Sequence, residues 1–280
     1  NDKLDGGAGA DTMVGGDGND LYYVDHAGDV VTETNANLAT GGNDTVYCTL
    51  SAYTLSDNVE NLRLLGTGAA DGTGNSLNNL LYAGVGDNVF DGDIGTDTVS
   101  YAYGVTGTTG VTINLTLASA QTTGGSGSDT LFGIENLTGS AYADSLTGDS
   151  TANILDGGAG VDTMIGDDGS DTYYVRNVGD LVSETNATAS TGGTDLVISA
   201  LSSYSLGTNV ENGRILSTGA ANLTGNYLAN LLYAGVGNNV LDGGTGTDTV
   251  SYAYGVTGTT GVTVSLALTT AQATGGSGSD

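Results

Sequence analysis

Asp2, Asp11 and Asp20 stand nine residues apart, as do Asp144, Asn153, Asp162 and Asp171, and the same step joins Asn79, Asn88 and Asp97. The second half of the chain repeats the beat at Asn230, Asn239 and Asp248. Oxygen donors that recur at a fixed interval suit a column of hard cations better than a single reacting centre. The charge balance points the same way. Thirty-two acids face four Lys plus Arg, for a formal net charge of −28, and all but five of the acids are Asp, the shorter carboxylate that favours tight turns and cation-binding loops. Self-repulsion and the entropy of 49 glycines both oppose compaction. A divalent cation is the natural offset, and nucleic acid is excluded as a direct partner.

Catalytic constellations are absent from the sequence. The single histidine, His26, aligns with Asn177 in the internal repeat described below, so a general base is not retained. There is no H-E-x-x-H and no G-x-S-x-G, the only lysine, Lys3, lies in no phosphate loop, and Thr12 after Gly7 and Gly9 breaks a dinucleotide glycine pattern. Asp167 and Asp168 could mimic a glycosidase dyad, but carboxylates that recur along the chain are better explained by cation binding. No enzyme is expected. Cys48 is the only cysteine and reads as an incidental thiol. Arg63 and Arg214 are expected to pair with nearby acids such as Glu60 and Glu211. No apolar run reaches the 18 residues of a membrane span.

The elements that position these donors follow from repetition. Shifted by 151 residues, Leu4 aligns with Leu155, Tyr101 with Tyr252 and Asp129 with Asp280. Tandem modules are implied: residues 1–151, with halves near 1–75 and 76–151, and a second, truncated copy over 152–280. The halves are related too, since Thr73 begins a stretch similar to the one from Thr147, and ENL stands at Glu60 and again at Glu135. The second copy stops inside GGSGSD, and Asn1 opens the chain without an initiator Met or signal sequence, so an internal piece of a longer array is expected.

The best-formed units, GGAGADTMV from Gly6, GGDGNDLYY from Gly15 and GGAGVDTMI from Gly157, fit G-G-x-G-x-D-x-U-x with U apolar. In this pattern the chain resembles the RTX family, the haemolysin-type calcium-binding repeats of secreted bacterial proteins. The intervening stretches resemble the spacer strands of long members. The fold class expected is all-β, a right-handed parallel β-roll or β-helix solenoid with calcium-binding turns. Six residues of each unit make a turn and three a strand, two units complete a coil, and coils stack at about 4.8 Å. Residues 18 apart then superpose.

Calcium is expected between stacked turns, on the carboxylates of Asp2, Asp11, Asp20, Asp97, Asp129, Asp144, Asp162, Asp171, Asp248 and Asp280. Backbone carbonyls complete the shell in turns opened by Gly7, Gly9, Gly16, Gly18, Gly158, Gly160, Gly169, Gly244 and Gly246. Where Asn79, Asn88, Asn153, Asn230 and Asn239 replace Asp, sites should be weaker or empty, with stacked amide hydrogen bonds closing some of those turns. Asp44 and Asp195 read equally as further calcium turns or as turn caps. Met13, Tyr22, Leu146, Leu155, Met164 and Tyr173 at the eighth place should form a thin core. The spacers are expected to continue the solenoid with wider coils.

The resemblance also implies a secreted, extracellular or cell-surface location in a Gram-negative bacterium, with export by type I secretion and folding on calcium outside. It implies a structural repeat of an adhesin, surface layer or matrix filament, or alternatively the carboxyl-terminal folding module of a secreted enzyme or pore-forming toxin. Calcium is the expected partner. Strand edges at solenoid ends leave self-association into fibres, or binding to other surface and matrix components, open.

Overall fold

The computed structural model describes residues 1–35, 40–186, 192–256, 261–266, 270–272, 274 and 278–280. Among these residues there are 27 short strands and no helix, hence no helix long and apolar enough to cross a membrane. The chain divides into two compact units, Asn1–Gly148 and Asp149–Asp280.

In the first unit seven parallel strands stack in sequence order: Lys3–Asp5, Leu21–Val24, Thr45–Cys48, Asn61–Leu64, Leu80–Tyr82, Thr98–Ser100 and Asn136–Thr138. The second unit repeats the plan with Ile154–Asp156, Thr172–Val175, Leu196–Ser199, Asn212–Ile215, Leu231–Tyr233 and Thr249–Ser251. Between them run the strands of the opposite face, such as Thr12–Val14 on Val30–Thr32 and Thr163–Ile165 on Leu181–Ser183. Each is a parallel β-solenoid, with hydrogen bonds running along the stack.

The core is thin, because alternation in so short a strand aims its second residue inward, and in four-residue strands such as Leu21–Val24 and Thr45–Cys48 the fourth as well. Tyr22, Val46, Leu62, Leu81, Val99 and Leu137 are in register in the first unit, and every one is buried. Met13, Leu146, Leu155, Met164 and Tyr173 are buried as well. The corresponding column of the second unit carries Gly213 where Leu62 stands, 151 residues earlier. The lost volume is restored from across the core. Leu223 replaces Gly72, and a Cβ on Gly213 would come 2.9 Å from Leu223 Cδ2, while one on Gly72 would come 3.0 Å from Leu62 Cδ2. The two copies thus exchange large and small partners across the core, as close packing requires.

The spacers depart from the expectation of wider coils. Register shows that successive steps measure 18 (Lys3 to Leu21), 24 (Leu21 to Thr45), 16 (Thr45 to Asn61), 19 (Asn61 to Leu80) and 18 (Leu80 to Thr98). One coil widens and the next tightens. The stretch between Thr98–Ser100 and Asn136–Thr138 doubles back. Thr112–Asn114 pairs with the later Ser145–Thr147, whereas Ser128–Phe132 returns to Val89–Asp91. Gln121–Thr122 fills the gap as an antiparallel strand on Ser128–Phe132. The other side of Gln121 is completed by its own amide. Oε1 accepts from Asn114 N at 2.7 Å and Nε2 donates to Asn114 O at 2.9 Å, imitating two rungs of a backbone ladder. Gln272 does the same with Ser265.

Candidate metal centres

The nonapeptide turns owe their shape to three glycines with two different tasks. Gly7, Gly16, Gly158 and Gly244 at second places, and Gly9, Gly18, Gly160, Gly169 and Gly246 at fourth places, have φ between 74° and 136°, which side-chain-bearing residues rarely adopt. Asp167 and Asp93 take the second place at φ 76° and 64°, a conformation that Asp tolerates. First-place glycines are needed for space instead. A Cβ on Gly6 would lie 2.6 Å from Asp11 Oδ2, and one on Gly92 would lie 2.7 Å from Asp97 Oδ2, because the sixth-place carboxylate folds over the start of its own turn.

Stacking joins each turn to the next through that carboxylate. Oδ1 accepts the backbone N–H of the turn one coil earlier: Asp20 from Asp2, Asp97 from Asn79 (2.6 Å), Asp171 from Asn153 (2.7 Å) and Asp248 from Asn230 (2.9 Å). Across the doubled-back spacers Asp129 accepts from Asn88 at 2.8 Å and Asp280 from Asn239 at 2.7 Å, each 41 residues away. Asp144 accepts from Val111 N at 2.6 Å and from Ser140 N and Oγ. Asp11 and Asp162 donate their own N–H to Asp29 (3.1 Å) and Asp180 (3.2 Å), acids outside the expected set.

The second carboxylate oxygen is where a cation fits. Oδ2 of Asp11, Asp20, Asp97, Asp129 and Asp171 is buried with no hydrogen-bond partner. A buried anionic oxygen without a donor is costly, and a hard cation is the group whose chemistry satisfies it while taking neighbouring backbone carbonyls as well. For the chain by itself, burial followed by nearby acids pushes Asp97 and Asp171 up to about 6 and Asp44 and Asp195 up to about 7. Burial likewise pushes Asp129 up to about 7.

Asparagine turns are closed differently. Asn79 Oδ1 accepts from Asn75 N at 2.7 Å, and Nδ2 donates to Val59 O and Glu60 O at 3.1 and 3.2 Å. Asn230 repeats this with Asn226 N, Val210 O and Glu211 O. Asn153 Oδ1 accepts from Asp149 N. Asn88 Nδ2 donates to Ala70 O at 2.7 Å while its Oδ1 has no partner, and neither side-chain atom of buried Asn239 has one.

The glutamates take a part in the turns that the sequence does not point to, where Glu60 and Glu211 are expected only as partners of arginines. All five lie outside the nonapeptide units, and Glu33 and Glu135 accept N–H groups from nonapeptide turns, Gly16 N at 3.1 Å and Asp97 N. Where coils tighten to 16 residues, Glu60 and Glu211 replace the stacked Asp, their extra methylene spanning the shortfall: Asp44 N donates to Glu60 Oε2 at 2.7 Å and Asp195 N to Glu211 Oε2 at 2.9 Å. Glu135 receives Asp97 N at 2.7 Å after the doubled-back spacer. Glu33 and Glu184 lie inside the 24-residue coils, grouped with Asp20 and Asp44 and with Asp171 and Asp195. Tyr22 and Tyr173 donate their hydroxyls to them. Asp44 and Asp195 therefore accept N–H groups of Asp20 and Asp171 as stacked turn acids do, besides facing a glutamate. The signal available was rarity: five glutamates among 32 acids, two pairs of them 151 apart.

The arginines do not pair with those acids. Arg63 stacks on Tyr103 at 3.8 Å, and Arg214 on Tyr254 at 3.8 Å, cation–π contacts on the outer face. His26 is exposed and its Nδ1 accepts from Gly28 N.

A family model described as the RTX calcium-binding nonapeptide repeat matches four stretches: residues 1–24, 73–101, 138–173 and 218–252. These are the stretches that hold the turns built from Asp2 to Asp20, Asn79 to Asp97, Asp144 to Asp171, and Asn230 to Asp248. No curated protein matches the chain.

Proposed function

For a chain that carries RTX calcium-binding nonapeptide repeats in four copies, we propose the role of a calcium-dependent structural segment of a long secreted bacterial protein, an adhesin, surface layer or matrix filament. It folds into stacked coils as ions bind. The observation that carries this reading is the row of buried carboxylate oxygens without donors, Oδ2 of Asp11, Asp20, Asp97, Asp129 and Asp171. Bound calcium supplies two positive charges and a shell of six to eight oxygens.

The residues do the rest. Asp20, Asp97 and Asp171 fix Oδ1 on the previous turn, the first-place glycines Gly15, Gly92 and Gly166 leave room for Oδ2, and residues of positive φ at the second and fourth places bend the backbone around the site. Folding and binding are then one equilibrium, because the unfolded chain holds no such arrangement. Duplication over 151 residues favours an extended rod over a single terminal module.

Circular dichroism of the purified chain in chelator should show little β structure and a cooperative gain on adding calcium. Magnesium should substitute poorly, since it demands a tighter octahedral shell. Identical spectra with and without calcium would refute the reading.

A further inference from the structure

Where the coil lengthens to 24 residues, three buried acids meet. Asp20, Glu33 and Asp44 each bring one oxygen to within 4.8 Å of the others, and Asp171, Glu184 and Asp195 repeat the group in the second unit. Two further features of the group point to a ligand. First, Asp20 Oδ2, Asp171 Oδ2 and Glu184 Oε2 have no hydrogen-bond partner, although Asp20, Asp171 and Glu184 are only 2%, 1% and 5% exposed. Second, the oxygens converge on one small space. A Cβ on Gly15 would lie 2.5 Å from both Asp20 Oδ2 and Glu33 Oε1 and would collide with the Tyr22 hydroxyl; one on Gly166 would meet Tyr173, Asp171 and Glu184 in the same way.

The tyrosines orient the glutamates without neutralising them. Each hydroxyl donates to Oε1, and burial, followed by that hydrogen bond, pushes both phenols well above their ordinary range, so each stays a donor. Oxygens that all lie within 4.8 Å of one another, twice the calcium–oxygen distance of about 2.4 Å, frame a space of the size that one ion fills. We propose that each 24-residue coil encloses an interior calcium site, Asp20 with Glu33 and Asp44 and Asp171 with Glu184 and Asp195, beyond those of the nonapeptide turns. The proposal rests on the calcium reading above. With three carboxylates converging where a nonapeptide turn offers one or two, these sites bind first, and they pin the irregular coil at the point where the repeat is interrupted.

Counting calcium by equilibrium dialysis with elemental analysis tests it, on the wild-type chain and on the double variant E33Q/E184Q. The variant should bind about two fewer ions per chain and lose the tightest class in a titration. An unchanged count and titration would overturn the proposal while leaving calcium-dependent folding intact, and a wild-type chain that binds no calcium would sink the general reading instead. Should E33Q/E184Q fail to fold at any calcium concentration, terbium luminescence decides. The chain has no Trp, so emission is sensitised by tyrosine, and Y22F/Y173F, which keeps every carboxylate, should lower it severalfold at an unchanged ion count. Unchanged emission would count against the site.

Discussion

The turns at Asp171 and at Asn79 occupy the same place in the repeat, and each extends its backbone N–H to the next acid along the stack. They differ by one atom. In the Asn79 turn the amide nitrogen reaches back to two carbonyls and the amide oxygen closes its own turn, so every polar side-chain atom is satisfied within the protein. In the Asp171 turn the equivalent oxygen is buried without a donor. The Asn corner is satisfied within the protein, while the Asp corner leaves one oxygen to which a cation would answer. Asn230 closes its corner as Asn79 does, whereas Asp20 and Asp97 leave an oxygen without a donor as Asp171 does.

The largest effect expected from this contrast is in D171A against N79A, both in saturating calcium. Removing Asp171 takes away one partner of a buried charge pair and should cost about 3–5 kcal/mol, with about one calcium ion fewer per chain. Removing Asn79 strands two carbonyls and one N–H, costing about 1–3 kcal/mol with the ion count unchanged. Chemical denaturation and ion counting together separate the two, and equal losses of calcium would erase the distinction.

Next in size is the response to pH. The carboxyls that burial raises, Asp44, Asp129 and Asp195 to about 7 and Asp97 and Asp171 to about 6, sit above their unfolded values. In chelator their contribution to stability is complete below about pH 4 and is lost as pH climbs through 6 to 7. β structure in chelator should therefore increase on acidification. In calcium the sign reverses, because the ion takes the ionised form, and affinity should fall as pH drops from 7 to 5. Asparagine corners do not titrate. A calcium affinity flat across this range would mean that the raised carboxyls are not the ligands.

The smallest and sharpest test converts one kind of corner into the other. N239D forfeits no hydrogen bond, since neither side-chain atom of Asn239 has a partner, whereas N79D gives up two donors to carbonyls. In calcium N239D should be neutral or stabilising by about 1 kcal/mol, and N79D destabilising by about 1–2 kcal/mol. Thermal melts of the pair in calcium would show it, and the opposite ranking would mean that the amide bonds are not what closes the Asn79 corner.

Much of this was written openly in the chain. The nine-residue beat gave the strand length, the parallel stacking and the turn acids, because a solenoid repeats its sequence wherever it repeats its structure. What stayed hidden were features fixed by neighbours rather than by period. The first-place glycines looked like conformational residues, and only the folded carboxylate of Asp11 or Asp97 reveals them as clearance. Glu60 and Glu211 act as turn acids because the coil before them is two residues short, a length visible only in the register. The exchange of Leu62 with Gly72 for Gly213 with Leu223 needs the cross-core contact to be recognised. Arg63 stacks on Tyr103, forty residues on, where charge alone suggested Glu60.

The reversal at Gln121 bears on how such a stack comes apart under load. Elsewhere each coil leans on its sequence neighbours, so tension applied at the ends would peel coils singly. Thr112–Asn114, however, is tied to Ser145–Thr147, and Ser128–Phe132 to Val89–Asp91, so the thread crosses its own path like a back-stitch in a seam. Those ties must slip together, so the doubled-back stretch gives way as one piece where a simple coil would yield alone.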